Sequence, residues 1–158
     1  MKYYELLVLR LNLNQCAMLD ERLYSPKKHF RYPHMFANDI AIWERFLELY
    51  GADYNGFYYD CKCGRGTDPP ADWDERYSSM QQVLSKYRID AIGVTDSYLE
   101  ILEVKPSAGT SAIGQVISYM NLFVKDHKST LPVIGGIVTD FERPDMKHLT
   151  KAHDLNYY

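Results

Sequence analysis

Between Ile89 and Lys105 apolar and polar positions alternate in two runs around a turn. Ile89-Asp90-Ala91-Ile92-Gly93-Val94 is β-prone, and Thr95-Asp96-Ser97 carries turn chemistry. Tyr98-Leu99-Glu100-Ile101-Leu102-Glu103-Val104-Lys105 reads as a second strand, stopped by Pro106. A turn centred between Asp96 and Ser97 predicts an antiparallel hairpin with Val94 opposite Leu99, Ile92 opposite Ile101 and Asp90 opposite Glu103. Side chains two apart share a face, so Leu99, Ile101, Glu103 and Lys105 join Asp90, Ile92 and Val94. The apolar members predict a buried face with its charges at one end.

Beyond Ser107-Ala108-Gly109-Thr110-Ser111, helical spacing returns from about Ala112 to Val124. Its stripe is Ile113, Val116, Ile117, Met120, Phe123 and Val124. Gln115 and Tyr119 lie off that stripe, one turn apart, looking either along the sheet toward the acids or out to water. Pro132 to Val138 is a further strand, completing a βαβ unit, so it should run parallel to the Glu103 strand. Upstream, Asn38 or Asp39 can cap a helix running to about Tyr50, with Gly51 as its stop. Ile40, Trp43, Phe46, Leu47 and Tyr50 form its apolar stripe. Glu44 falls at the edge of that stripe, one turn after Ile40, and is the acid of this helix best placed to reach a site beside the core. Its plainer role is a rim carboxylate paired with a nearby Arg or Lys.

Two carboxylates facing each other across a hairpin repel, because opposed Cβ atoms lie only about 4.5–5.5 Å apart. Either the acids share a proton or a hard cation sits between them. Mg²⁺ takes oxygen ligands and recruits one or two carboxylates, leaving its other positions to water and phosphate. Lys105, one pleat beyond Glu103, could orient an attacking water, or deprotonate it if burial lowers the lysine's pKa.

The order Glu44, Asp90, Glu103-Val104-Lys105, Gln115, Tyr119 resembles the PD-(D/E)XK nuclease superfamily over roughly Asn38 to Val138. The resemblance implies an α/β fold, with a restriction-endonuclease-like mixed β-sheet flanked by helices. It also implies metal-dependent hydrolysis of DNA to 5′ phosphate products. Asp90, Glu103 and the Val104 carbonyl would hold Mg²⁺ or Mn²⁺, and Lys105 would aim the water. Glu44 would assist the metal, Gln115 would support the site, and Tyr119 would meet substrate. The superfamily's Pro before the Asp is replaced by Ile89. A narrower resemblance, to small nuclease-like proteins of tailed phages, rests on Tyr59-Asp60-Cys61-Lys62-Cys63-Gly64-Arg65-Gly66, a loop with a Trp, then Arg88-Ile89-Asp90, Glu103-Val104-Lys105-Pro106 and Gly114-Gln115. It implies phage DNA processing in a host cytoplasm. The alternative it carries is a non-cutting structural or assembly protein, associated with virion or packaging proteins.

Composition changes this picture little. With 158 residues, 46% hydrophobic and 25% charged, the chain fits one domain, 1–158. No apolar run reaches the ~20 residues of a membrane helix, and Glu5 interrupts the apolar segment a signal peptide needs, so a cytosolic or particle-bound protein is expected. A net charge of −3 does not advertise nucleic-acid binding. Lys27, Lys28 and Arg31, among Tyr24, Phe30 and Tyr32, form a local basic stretch that either meets phosphates or is an ordinary solvated loop. Cys16, Cys61 and Cys63 make no even framework, so reduced thiols are expected and zinc is not. Five histidines show no metalloprotease spacing. Tyr4 to Leu13 reads as a strand or short helix, and Leu19 to His34 as irregular. Gly64 to Asp74 reads as a loop able to gate the site or bind a partner, with Trp73 as a core plug or, second, a stacking surface. A C-terminal helix carries Lys147, His148 and Lys151, and Tyr157 ends a final strand.

Overall fold

Five β-prone segments join one mixed sheet in the order β1-β2-β3-β4-β5: β1 Gly56–Cys63, β2 Tyr87–Val94, β3 Leu99–Lys105, β4 Val133–Thr139 and β5 Leu155–Tyr157. Among the described residues four α-helices accompany them: α1 Ala37–Tyr50, α2 Glu75–Leu84, α3 Thr110–His127 and α4 Pro144–Ala152. The structure is a computed structural model and describes residues 22–127 and 129–158. The Tyr4–Leu13 segment and Cys16 lie outside the described residues. The class is α/β, with β2 antiparallel to both its neighbours, β1 and β3, and with β3, β4 and β5 parallel.

The hairpin register follows the turn. Val94 pairs with Leu99 and Ile92 with Ile101, because Thr95 closes the reversal by donating its amide to the Tyr98 carbonyl. Helix α3 crosses over and returns the chain as β4, whose Leu99↔Val133 to Lys105↔Thr139 rungs are parallel. Gly135 lets α3 lie flush on β4, since a Cβ there would stand 2.3 Å from Val116. On the α3 side of the sheet, Ile89, Ile92, Val94, Leu99 and Ile101 pack with Tyr119 and Phe123. On the α1 side, Phe57, Tyr59, Ala91, Leu102 and Val104 pack with Trp43, Phe46 and Leu47. The hairpin is covered on both faces, so β3 is buried almost along its whole length, Glu100 and Glu103 included.

Three local expectations need correction. Helix α1 begins at Ala37 with Phe36 at its N-cap, so neither Asn38 nor Asp39 caps it, and Asp39 stands free in the first turn. Gly51 does end the helix, but with right-handed φ −56, leading into a short 3₁₀ turn rather than a left-handed stop. Tyr119 is buried in the sheet-facing cluster, so the α3 stripe is wider than the sequence spacing indicated. Helix α2, by contrast, buries none of its residues. The absence of an inward stripe left it without a helical signal.

Candidate functional site

The acid site forms where the sheet's central strands part. The β2/β3 ladder ends at Ala91↔Leu102, one rung short of Asp90 and Glu103. The β1/β2 ladder likewise skips Asp60 opposite Asp90, between Tyr59↔Ala91 and Cys61↔Ile89. Asp60 has φ +55, a left-handed conformation that costs a non-glycine residue roughly 1–2 kcal/mol. Both strands change face at this rung. Tyr59 and Ala91 pack on the α1 side, whereas Cys61 and Ile89 pack on the α3 side, although residues two apart normally share a face. Asp60 is held there by Arg88, which donates two 2.5 Å hydrogen bonds to its carboxylate, and His34 Nε2 lies 3.4 Å away.

The expected rung between Asp90 and Glu103 is therefore replaced by a different contact. Asp90 leaves the pleat and its Oδ2 accepts the Val104 N–H at 2.9 Å. An extended residue presents its N–H and C=O to the same side, so the Val104 carbonyl faces the same gap. Glu103 is buried, and its Oε1 receives Lys105 Nζ at 2.8 Å. Among the described residues, Asp90 Oδ1 and Glu103 Oε2 have no hydrogen-bond partner.

Burial first, and the charge of Glu103 second, push the Asp90 carboxyl up to about 7, against the opposing Val104 N–H and Lys105. Glu103 is raised as well, by burial, with Lys105 pulling the other way. Burial alone would lower the pKa of Lys105, but Glu103, Asp90 and Asp39 together outweigh it and the value rises. In the metal-free chain these neighbours favour Lys105 as a charged hydrogen-bond donor over a neutral base.

Helix α3 brings Gln115 and Tyr119 to the same place. Gln115 Nε2 donates to the Tyr119 hydroxyl at 3.2 Å. The Tyr119 phenol is raised by burial and then by the nearby Glu103 and Asp90 charges, so of the two orientations left open the inward one holds. Glu44 is placed elsewhere. It lies 3.5 Å from Lys28, which also binds Glu48 at 2.6 Å, and Glu44 is not among the charges acting on Asp90, Glu103 or Lys105. The acid that α1 does contribute is Asp39, whose charge reaches all three. Sequence reading missed it because a short acid before a helical stripe looks like a cap. Lys27 and Arg31 are exposed, while Lys28 is already matched by two carboxylates.

The donor set suits a hard divalent cation. Two buried carboxylates beside one backbone carbonyl, where the β2/β3 ladder ends, are oxygen donors of the kind Mg²⁺ combines with water and phosphate. Among the described residues, no three His, Cys, Asp or Glu side chains converge into an all-protein metal cage. Cys61 and Cys63 are buried and are not joined in a disulfide. No helix among the described residues is long and apolar enough to cross a membrane. In comparison with known proteins, the chain matches no family model, no curated protein and no solved structure.

Proposed function

We propose that the chain hydrolyses DNA phosphodiester bonds with Mg²⁺ or Mn²⁺, on a restriction-endonuclease-like version of the α/β fold. The observation that carries the reading is the buried pair Asp90 and Glu103, each holding its proton above the ordinary carboxylate range, beside a lysine that stays charged. Two acids in that state are short of positive charge, and a dication supplies it. Asp90, Glu103 and the Val104 carbonyl would hold the metal. When bound, it polarises the scissile phosphate and eases ionisation of a water.

The chain's own residues do the rest. Lys105 donates a hydrogen bond to the attacking water and points it at phosphorus, opposite the leaving 3′ oxygen. Its raised pKa keeps that donor charged, so it also offsets negative charge building on the phosphate in the transition state. Gln115 fixes the Tyr119 hydroxyl, and with it the α3 wall of the site. Asp39 adds negative potential that attracts positive charge to the pair.

The test is direct. Purified protein with Mg²⁺ or Mn²⁺ nicks or degrades DNA, and Asp90→Ala and Lys105→Ala abolish cutting while leaving the circular-dichroism spectrum intact. Equal cutting by the variants overturns the reading. A non-cutting assembly role, within a phage particle or its packaging machinery, is the second reading. It is favoured by the net charge of −3 and by the exposed Tyr77, Met80, Val83 and Leu84 of α2. A protein that co-purifies with virion components and leaves every DNA form intact supports it.

A further inference from the structure

Tyr87 opens β2 and is 58% exposed, at the end of the strand that carries Asp90. Its ring is not a loose surface group. The centroid lies 6.0 Å from that of Tyr119, at an interplanar angle of 49°. On its other flank the ring edge meets Gly64, where a Cβ would sit only 3.3 Å from it. Gly64 has φ +81, so the chain turns away there and leaves the ring uncovered. Tyr119 in turn packs with Ile89 and Ile101, the residues next to Asp90 and two before Glu103. Two rings, Tyr119 and then Tyr87, therefore lead from the apolar neighbours of the acid pair to solvent.

Three residues of strand separate Tyr87 from Asp90, about 10 Å at the usual rise. One or two nucleotides of an extended strand cover that span. Arg88 follows Tyr87 in β2 and pairs across the ladder with Lys62 of β1, so by strand alternation both belong to the sheet face opposite the ring. Asp60 holds the Arg88 guanidinium and Asp126 accepts the Gly64 N–H, so the named charges around the ring balance and its use rests on the ring face rather than on a basic border. A ring fixed beside a phosphate-handling site has one obvious use. It offers a π face to a base that is not already stacked in a duplex.

We infer that Tyr87 is a base-stacking residue of this site, and that the substrate carries an unpaired nucleotide next to the scissile phosphate, as single strands, flaps and frayed ends do. The inference rests on the hydrolase reading and names its substrate class. Trp73 lies 45% exposed in the loop before α2, a solvent-facing ring rather than the core plug expected from sequence, but no contact ties it to the acids and it is left out of the site.

Fluorescence anisotropy of a labelled oligonucleotide, single-stranded or blunt duplex, tests this on the full chain in EDTA at pH 6.5 and low salt. Wild type binds the single strand more tightly. Tyr87→Leu, which keeps apolar bulk without a π face, weakens single-strand binding roughly tenfold and leaves duplex binding unchanged, and Tyr87→Trp retains the preference. Equal affinities for both DNA forms, or a Leu variant indistinguishable from wild type, overturn the inference. So does a Leu substitution whose only effect is to break a dimer seen by light scattering, because the ring would then be a protein contact. A separate Mn²⁺ cutting assay keeps the two ideas apart. Tyr87-dependent binding without cutting sinks hydrolysis alone, whereas cutting indifferent to Tyr87 sinks the stacking role alone.

Discussion

Asp90 accepts the backbone N–H of Val104 at 2.9 Å, filling with a side chain the place where a ladder bond would otherwise run. The contact does two things at once. It satisfies a donor left over when β2 and β3 part, and it fixes one oxygen of a carboxylate on which the charge of Glu103 acts.

Replacing Asp90 separates those two roles. Asparagine keeps an oxygen for the Val104 N–H and removes the charge that burial and Glu103 oppose, so Asp90→Asn should stabilise the metal-free chain at pH 8, by on the order of 1 kcal/mol. Alanine strands the donor and should destabilise it by roughly 1–3 kcal/mol. Urea unfolding of the three proteins in EDTA checks both directions. The pH dependence follows from the raised values of Asp90 and Glu103. Between about pH 4, where unfolded carboxyls ionise, and pH 7, the folded chain holds protons that the unfolded chain has released. The pair's contribution is therefore full below pH 4 and is lost as pH rises toward 7. The stability difference between wild type and Asp90→Asn should widen in favour of the variant over that interval, and a constant difference would contradict it.

Lys105 acts as a charged donor. Lys105→Ala should lower cutting about 10²–10³-fold, with Lys105→Arg recovering part of it. A general-base lysine predicts no recovery, because arginine does not deprotonate. Single-turnover rates at saturating Mn²⁺ measure the ratio.

Asp39 and Glu44 give opposite expectations from the same helix. Removing the Asp39 charge with Asp39→Asn should weaken Mn²⁺ binding and cutting on the order of tenfold. Glu44→Gln, which only loosens the Lys28 contact, should stay within about twofold, as surface pairs are weak. Isothermal titration calorimetry with Mn²⁺ reads the first effect directly.

Glu100 has a purely architectural part. Fully buried on the α1 side, it accepts hydrogen bonds from Tyr54 at 2.5 Å, Asn156 at 2.8 Å and Tyr158 at 3.1 Å, and so ties β5 and the chain beyond it to the sheet. Glu100→Gln turns one acceptor toward those donors into another donor. It should cost roughly 1–3 kcal/mol in the urea midpoint, with cutting preserved.

The hairpin was legible because a short turn and strict alternation set register together. Val94↔Leu99 and Ile92↔Ile101 follow from the sequence alone. The next rung does not, because Asp60 adopts a left-handed backbone that aspartate gives no sign of adopting, and the strands change face there. The choice between Asp39 and Glu44 was equally out of reach. A helical wheel ranks positions by angle around the axis, and what decides here is which end of α1 lies over the sheet's acidic end. Lys28, some sixteen residues before Glu44, had already claimed the other acid.

The claim at the centre of this account is that Asp90 and Glu103 together bind a dication. Crystals soaked in Mn²⁺ and measured for anomalous scattering test it most directly. The account predicts one strong peak within about 2.0–2.3 Å of an oxygen from each carboxylate, lost in Asp90→Asn. Manganese bound elsewhere on the molecule, with no density between these two side chains, would contradict it.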